Sequence, residues 1–310
     1  MRKLIQILVA TPMLLLSTVE SVFSQQDPQF TNYMYNTTVI NPAYAGTRDA
    51  LSVLALYRTQ WVGLDGAPIT AAATVHSPMT NSNLGWGLSI VNDEIGPSVE
   101  QTLSADFSYR IAFANLSNLS FGFKATANLL NVDYTKLSIY DPSDPDLQNN
   151  VDNRFSPNFG AGFYWYSDQY YLGLSVPNFL ETKHYDDNTR SSSATKSMHY
   201  YLMGGYVFDL SDSVQFKPAF LSKYVTGSPL QVDLTANFLF FDKLTTGAAY
   251  RINGAVSALV GFQVSDAIFV GYSYDTEATQ LANYNSGSHE FFLRFEVFKS
   301  EAKVFSPRFF

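Results

Sequence analysis

The sequence predicts an all-β protein, a transmembrane antiparallel β-barrel of about 14 strands preceded by a short N-terminal segment, and three observations carry that expectation. Apolar and polar residues alternate with a period of two over most of the chain. Charged residues make up only 15% while aromatics also make up 15%, and a soluble domain normally carries about a quarter charged residues. After the N-terminus, no stretch is both long and apolar enough for a transmembrane helix.

The elements follow in chain order. Arg2 and Lys3 precede an apolar run from Leu4 to Val19, interrupted only by Gln6, Thr11, Pro12, Ser17 and Thr18, with small Ser24 near its end. This is the pattern of a secretory signal peptide over residues 1–24, cut between Ser24 and Gln26. A retained anchor would need about 20 continuous apolar residues, and this run is shorter and leads into Gln25-Gln26-Asp27. The chain has no cysteine, which excludes disulfides, thiolate metal sites and a lipid-modified N-terminal cysteine. The net charge of −8 argues against nucleic acid as a partner.

Residues 25–49 are not strand-like. Pro28, Pro42 and Gly46 punctuate them, and Phe30, Tyr33, Tyr35 and Tyr44 call for burial. They fold into the barrel mouth as a plug, cap its periplasmic end, or form an ordered periplasmic extension with no role of its own.

Residues 50–298 hold the alternating segments, near 50–60, 69–76, 83–92, 99–111, 119–131, 157–166, 169–178, 197–209, 213–223, 230–241, 243–251, 255–264, 266–275 and 287–298. In the fifth, Leu119, Phe121, Phe123, Ala125 and Ala127 interleave with Ser120, Gly122, Lys124 and Thr126. The count is even and the lengths suit tilted strands crossing a bilayer. Connections alternate between longer loops, such as 132–156 and 179–196, and tight turns such as 167–168, 210–212, Asp242 and Ser265. Short turns belong on the periplasmic rim, so the expected layout puts both chain ends in the periplasm, with residues 299–310 as a periplasmic tail. A soluble β-sandwich also shows alternation, but a single sandwich core shared by this many strands is implausible.

Arg58, Arg110, Lys124, Lys217, Lys223, Arg251 and Arg294 fall mainly on the polar strand faces, with Asp106, Asp233, Glu290 and Glu296. Facing lipid, each would cost about 2–4 kcal/mol near midplane, so they are expected to point inward. Arg110, Lys124, Lys217, Asp233, Arg251 and Arg294 are therefore candidate lumen charges, serving either a polar passage or an internal ion-pair network. Trp61, Trp86, Trp165 and Tyr166 are candidates for interfacial belts. Asp141, Asp144, Asp146 and Asp152 crowd the longest loop without the ligand order of a known calcium loop, which favours solvated charge over a metal site. Ser286, Ser288, His289 and Glu290 permit a Ser/His/acid grouping on paper, but no nucleophile-elbow pattern accompanies it. No catalytic role, cofactor or metal is expected.

At Ile40-Asn41-Pro42-Ala43-Tyr44-Ala45-Gly46, Arg58-Thr59-Gln60-Trp61 and Gly66-Ala67-Pro68 the chain resembles the opening of the PorP/SprF family of Bacteroidota membrane proteins. Lys217-Pro218-Ala219-Phe220, Gly247-Ala248-Ala249-Tyr250-Arg251, Gly271-Tyr272-Ser273-Tyr274-Asp275 and Gly287-Ser288-His289-Glu290 extend the resemblance in register. The ending Ser306-Pro307-Arg308-Phe309-Phe310 is similar to that of gliding-type members, where a cysteine often precedes it; this chain has none. The resemblance implies an outer-membrane component of the type IX secretion system. Its implied partners are periplasmic ring subunits, or a large secreted cargo protein such as a gliding adhesin. It also makes Asn41, Pro42, Tyr44, Gly46, Arg58 and Trp61 candidates for partner binding or plugging. The rivals are a general porin or hydrophobic-solute channel, an outer-membrane lipid hydrolase working through His289, and a purely structural ring anchor.

Overall fold

The computed structural model describes residues 28–137, 150–183 and 195–298. The expected signal peptide, the 299–310 tail, His184 and the loop acids Asp141, Asp144 and Asp146 lie outside them.

The strands are β1 (Ala50–Thr59), β2 (Ile69–Pro78), β3 (Leu84–Ile95), β4 (Ser98–Ala112), β5 (Asn118–Val132), β6 (Val151–Tyr166) and β7 (Tyr170–Val176). After a small hairpin, β8 (Thr182–Lys183) and β9 (Thr195–Lys196), come β10 (His199–Tyr206), β11 (Phe208–Ser211), β12 (Val214–Val225) and β13 (Gln231–Phe240). β14 (Leu244–Arg251), β15 (Ala255–Gln263), β16 (Ile268–Glu277) and β17 (Ser288–Phe298) complete the wall. Each wall strand pairs antiparallel with its sequence neighbours. β1 pairs β17 from Ala50↔Phe298 to Thr59↔His289, and β10 pairs both β7 and β12, which closes the cylinder. β10 and β11 are two pieces of one wall strand interrupted at Val207, so the 15-stranded sheet is a barrel of 14.

Burial explains why the cylinder forms in a membrane. On β4, Leu103, Phe107 and Tyr109 are exposed while Ser104, Asp106 and Ser108 are buried. On β5, Phe121 and Phe123 face out while Ser120, Lys124, Thr126 and Asn128 face in. An apolar exterior around a polar interior inverts a soluble sandwich and suits a barrel bathed in lipid. Among the described residues no helix is long and apolar enough to cross a membrane, which says nothing of strands.

Two expected boundaries moved. β6 begins at Val151, not near 157, because it keeps pairing with β5 through Leu129↔Phe155 and Leu130↔Arg154. Polar Asp152, Asn153 and Arg154 hide this stretch from an apolar-alternation reading. The connection expected over 93–98 is only Gly96 and Pro97, flanked by the paired Ile95↔Ser98. The two rims differ. One carries only short connections, 79–83, 113–117, 167–169, 212–213, 241–243 and 264–267; the other carries the long ones, 60–68, 133–150, 177–198 and 278–287, together with the short 96–97, 226–230 and 252–254. They are called the turn rim and the loop rim below.

Candidate functional site

The lumen is occupied by the chain's own residues 28–49, which cross it from the loop rim to the turn rim. Gln29 donates to Gln231 at the loop-rim start of β13 at 2.9 Å. Thr31 and Asn32 meet Asp275, Ser273 and Glu290 of β16 and β17. A single helical turn, Thr37–Ile40, and a 3-10 turn, Pro42–Tyr44, follow. At the turn rim Arg48 binds Glu296 near the end of β17.

The expectation that both chain ends share a rim concerns residues outside the described ones, and the path bears only on residues 28–49. Strand parity holds for Ala50 and Phe298, which pair. The segment before β1, however, runs back through the lumen, so the first described residue lies toward the opposite rim.

Much of the wall holds the segment by its backbone. Glu290 accepts the N–H groups of Thr31 and Asn32 at 3.0 and 2.8 Å. Lys124 Nζ donates to the Thr38 carbonyl at 3.1 Å, Ser175 Oγ to that of Ile40 at 2.9 Å, and Ser108 Oγ to that of Ala45 at 2.6 Å. Gly46 N–H reaches His76 Nδ1 at 3.3 Å. Inward glycines provide the room for this close approach. A Cβ on Gly122 would overlap the backbone of Pro42 and Ala43, one on Gly85 the Ala45 carbonyl, and one on Gly162 the Asn41 side chain. Gly46 itself, at φ 74°, packs on Gly85 and Pro78 and needs the left-handed region that glycine enters at no steric cost.

Side chains add an apolar filling. Phe30, Tyr33, Met34, Ile40 and Tyr44 are buried in one cluster with Leu54, Leu56, Tyr164, Tyr201, Phe269 and Phe292 of the wall. At about 1.5–3 kcal/mol per large side chain, that burial contributes on the order of 10 kcal/mol before the cost of ordering the segment is subtracted.

The expected site residues divide between these regions. Asn41, Pro42, Tyr44 and Gly46 come together along the lumen: Asn41 caps the 3-10 turn through Ala43 N–H and donates to the Phe163 carbonyl at 3.0 Å. Tyr44 meets His76 and Tyr164 edge-on at 5.5 and 5.4 Å. Arg58 is buried, bridging Asp275 at 2.7 Å and Glu290 at 3.2 Å, and it donates to Thr31 Oγ1 at 3.0 Å. Trp61 stands apart on the loop rim, donating from Nε1 to Glu277 at 2.8 Å. Its neighbour Val62 exchanges backbone bonds with Gly287 and Ser286.

The lumen charges are paired or stacked. Lys124 meets Asp106 at 2.9 Å and Arg251 meets Asp233 at 2.9 Å. Lys217 lies 4.7 Å from the Tyr171 ring centre. Arg294 sits over Tyr35 and Phe269 and lies 3.5 Å from Glu296. Arg110, half-exposed at the turn rim, binds Asp49 at 2.9 Å. Between the start of the segment and the wall, toward the loop rim, the lumen keeps a cavity of about 80 Å³, lined by Gln29, Lys124, Asn178, Lys223, Asp233 and Arg251 among others.

The Ser/His/acid grouping is not assembled. Ser288 and Glu290 alternate with His289 along β17 and face inward, while His289 bonds Tyr272 Oη at 2.7 Å through Nδ1. Among the described residues no group of three His, Asp or Glu side chains is placed to hold a metal. Sequence reading missed Thr31, Asn32, Arg48, Asp275, Ser108, Ser175 and the glycine saddle. The glycines carried a signal, since Gly85, Gly122, Gly160 and Gly162 all fall on the polar phase of their strands.

Among solved structures the chain is similar to the outer-membrane protein Omp33 of Acinetobacter baumannii, at 9% identity over 81% of this chain and 100% of that one, with a TM-score of 0.47. It is also similar to a mutant of the TodX monoaromatic hydrocarbon channel, at 9% identity over 84% and 93% with a TM-score of 0.47. The NanC porin aligns at 9% identity over 80% and 100% with a TM-score of 0.43. Among curated proteins, none matches the chain. The profile described as type IX secretion system membrane protein PorP/SprF matches residues 22–295, nearly the whole chain, and the chain therefore belongs to the PorP/SprF family.

Proposed function

We propose that this barrel is an outer-membrane subunit of type IX secretion that works through its rims and not as an open pore, linking to the periplasmic ring or assisting delivery and surface attachment of a specific cargo protein. Family membership supports the machine. The observation that carries the mode of action is the filled lumen: residues 30–46 cross it and are almost all buried. In this reading the turn rim faces the periplasm and the loop rim the cell surface, as short turns and long loops do in other bacterial barrels. Asn41, Pro42, Tyr44 and Gly46 then serve as the plug and Arg58 as its anchor, while Trp61 braces the loops that a surface partner would meet.

A general porin would need a continuous passage, and the loop-rim cavity of about 80 Å³ is the size of a few water molecules. The test is affinity capture of the tagged protein from detergent-solubilised outer membranes, with mass spectrometry of what is retained. Recovery of secretion-ring subunits or of one large secreted protein supports the reading. Recovery of the barrel alone, with conductance in planar bilayers, overturns it in favour of the porin.

A further inference from the structure

We infer that the lumen wall is a polypeptide-binding track, and that residues 28–46 are its resident and separable ligand. The inference deepens the filled-lumen part of the proposed function and rests on it, not on the secretion assignment.

Three features set this packing apart from an ordinary core. The wall reads main chain: Glu290, Lys124, Ser175, Ser108 and His76 each bond a backbone N–H or carbonyl of the segment, spaced from Thr31 to Gly46. Recognition through backbone groups suits a chain lying in a groove, here one folded into turns and short helical pieces. The track is also cut to the width of a bare backbone. Gly85 and Gly122, on β3 and β5, leave space for the segment's backbone that any side chain would close, and Gly162 on β6 leaves it for the Asn41 side chain. Finally, the wall is polar where the segment does not touch apolar groups: Thr74, Ser104, Thr126, Asn128, Thr235 and Ser257 all face inward. Such a wall tolerates water when the segment is away, whereas a permanent core would lose stability by leaving polar groups without partners.

The covalent tie is narrow. Arg48 and Asp49 alone join the buried Gly46-Thr47 to β1, and the side chain of Asp49 is 48% exposed at the turn rim. Cutting there leaves every wall contact from Thr31 to Gly46 intact, so binding can be read without deleting anything.

The experiment uses the full chain with a protease site inserted between Asp49 and Ala50, folded in detergent and then cut. Excess synthetic peptide of residues 28–49, labelled at its N-terminus, is added, with a scrambled peptide of the same composition as control. The result expected is saturable incorporation of the labelled peptide into barrels that still shift on heating in a gel, and none of the scrambled one. Glu290→Gln in the cut chain weakens retention by about 10–150-fold, the loss of one charge-assisted contact set. Gly122→Leu abolishes it. No exchange at any temperature below the barrel's own transition, or equal uptake of the scrambled peptide, overturns the inference. So does a cut segment that leaves and is not replaced. None of these outcomes bears on whether secretion subunits are recovered by affinity capture, so the two readings fail separately.

Discussion

One carboxylate oxygen of Glu290, Oε1, accepts both the backbone N–H and the side-chain amide of Asn32, at 2.8 and 2.7 Å. The other oxygen, Oε2, takes the Thr31 N–H and Arg58. A single buried acid thus saturates its lone pairs on the segment and on the wall together. Replacing it with glutamine turns one acceptor into a donor facing donors. Glu290→Gln should cost about 1.5–3 kcal/mol, the range for hydrogen bonds to a charged group. The midpoint of the heat-induced gel shift reads this, and an unchanged midpoint would show that the contacts around Asn32 do not hold the segment.

Gly122 argues the same point sterically. Its missing Cβ lies where the Pro42 and Ala43 backbone passes, and even modest overpacking costs about 1–3 kcal/mol. Gly122→Leu exceeds what the saddle can absorb, so the segment should be expelled while the strand ladder around it survives. In planar bilayers the variant should conduct where the natural protein does not. A folded Gly122→Leu barrel that stays closed would mean the lumen is sealed elsewhere.

These two sites mark what the sequence made legible and what it did not. Phe121 and Phe123 against Ser120 and Lys124 announced a strand with one lipid face and one polar face, and the wall obeys it because a period of two leaves each side chain only two directions. Arg58, Lys124 and Arg251 were legible as inward charges for the same reason, through the cost of lipid exposure. The route of residues 28–49 was not. Proline and aromatic punctuation shows that the stretch needs burial without showing where. That Asn32 meets Glu290 across 258 positions is a fact of closure, since β1 must pair β17 before the lumen exists. Strand parity puts Ala50 and Phe298 on one rim and says nothing of the residues before β1, because a chain inside a barrel obeys no parity. The glycine saddle lay in plain view in the polar phase, but a glycine there reads equally well as a weak strand position.

The sidedness of the wall yields a paired prediction. Phe123 is 49% exposed on the outer face, and its cross-strand neighbour Phe107 is 54% exposed. Phe123→Arg should destabilise the folded barrel in bilayers by about 2–4 kcal/mol if the position lies near the midplane. Thr126→Ser, on the inner face, should cost less than about 1 kcal/mol because it keeps the hydroxyl that faces Ser104. Chemical denaturation in lipid vesicles compares them, and equal costs would contradict the outward placement.

At the loop rim, Asp133 joins the two ends of the 133–150 connection. It accepts the Thr135 hydroxyl at 2.6 Å and the Thr135 N–H at 3.0 Å, and Asn150 Nδ2 donates to it at 3.2 Å. Those donors, the Thr135 hydroxyl first, hold its carboxyl below the usual aspartate range. A group whose folded pKa is depressed contributes stability that is complete above its unfolded pKa, about 3.9 for aspartate. That contribution is lost as the pH falls through the lowered folded value. The tie should therefore be unchanged from neutral pH down to about 5 and loosen only in stronger acid. Asp133→Asn removes the charge at every pH and should raise exchange of the Thr135 amide at neutral pH to what the natural chain reaches only when acidified. Hydrogen exchange across a pH series, corrected for the intrinsic rate, measures it. Identical protection in the two proteins at neutral pH would mean that the connection is held by Tyr134 N–H on Asn150 Oδ1 at 3.0 Å without help from the acid.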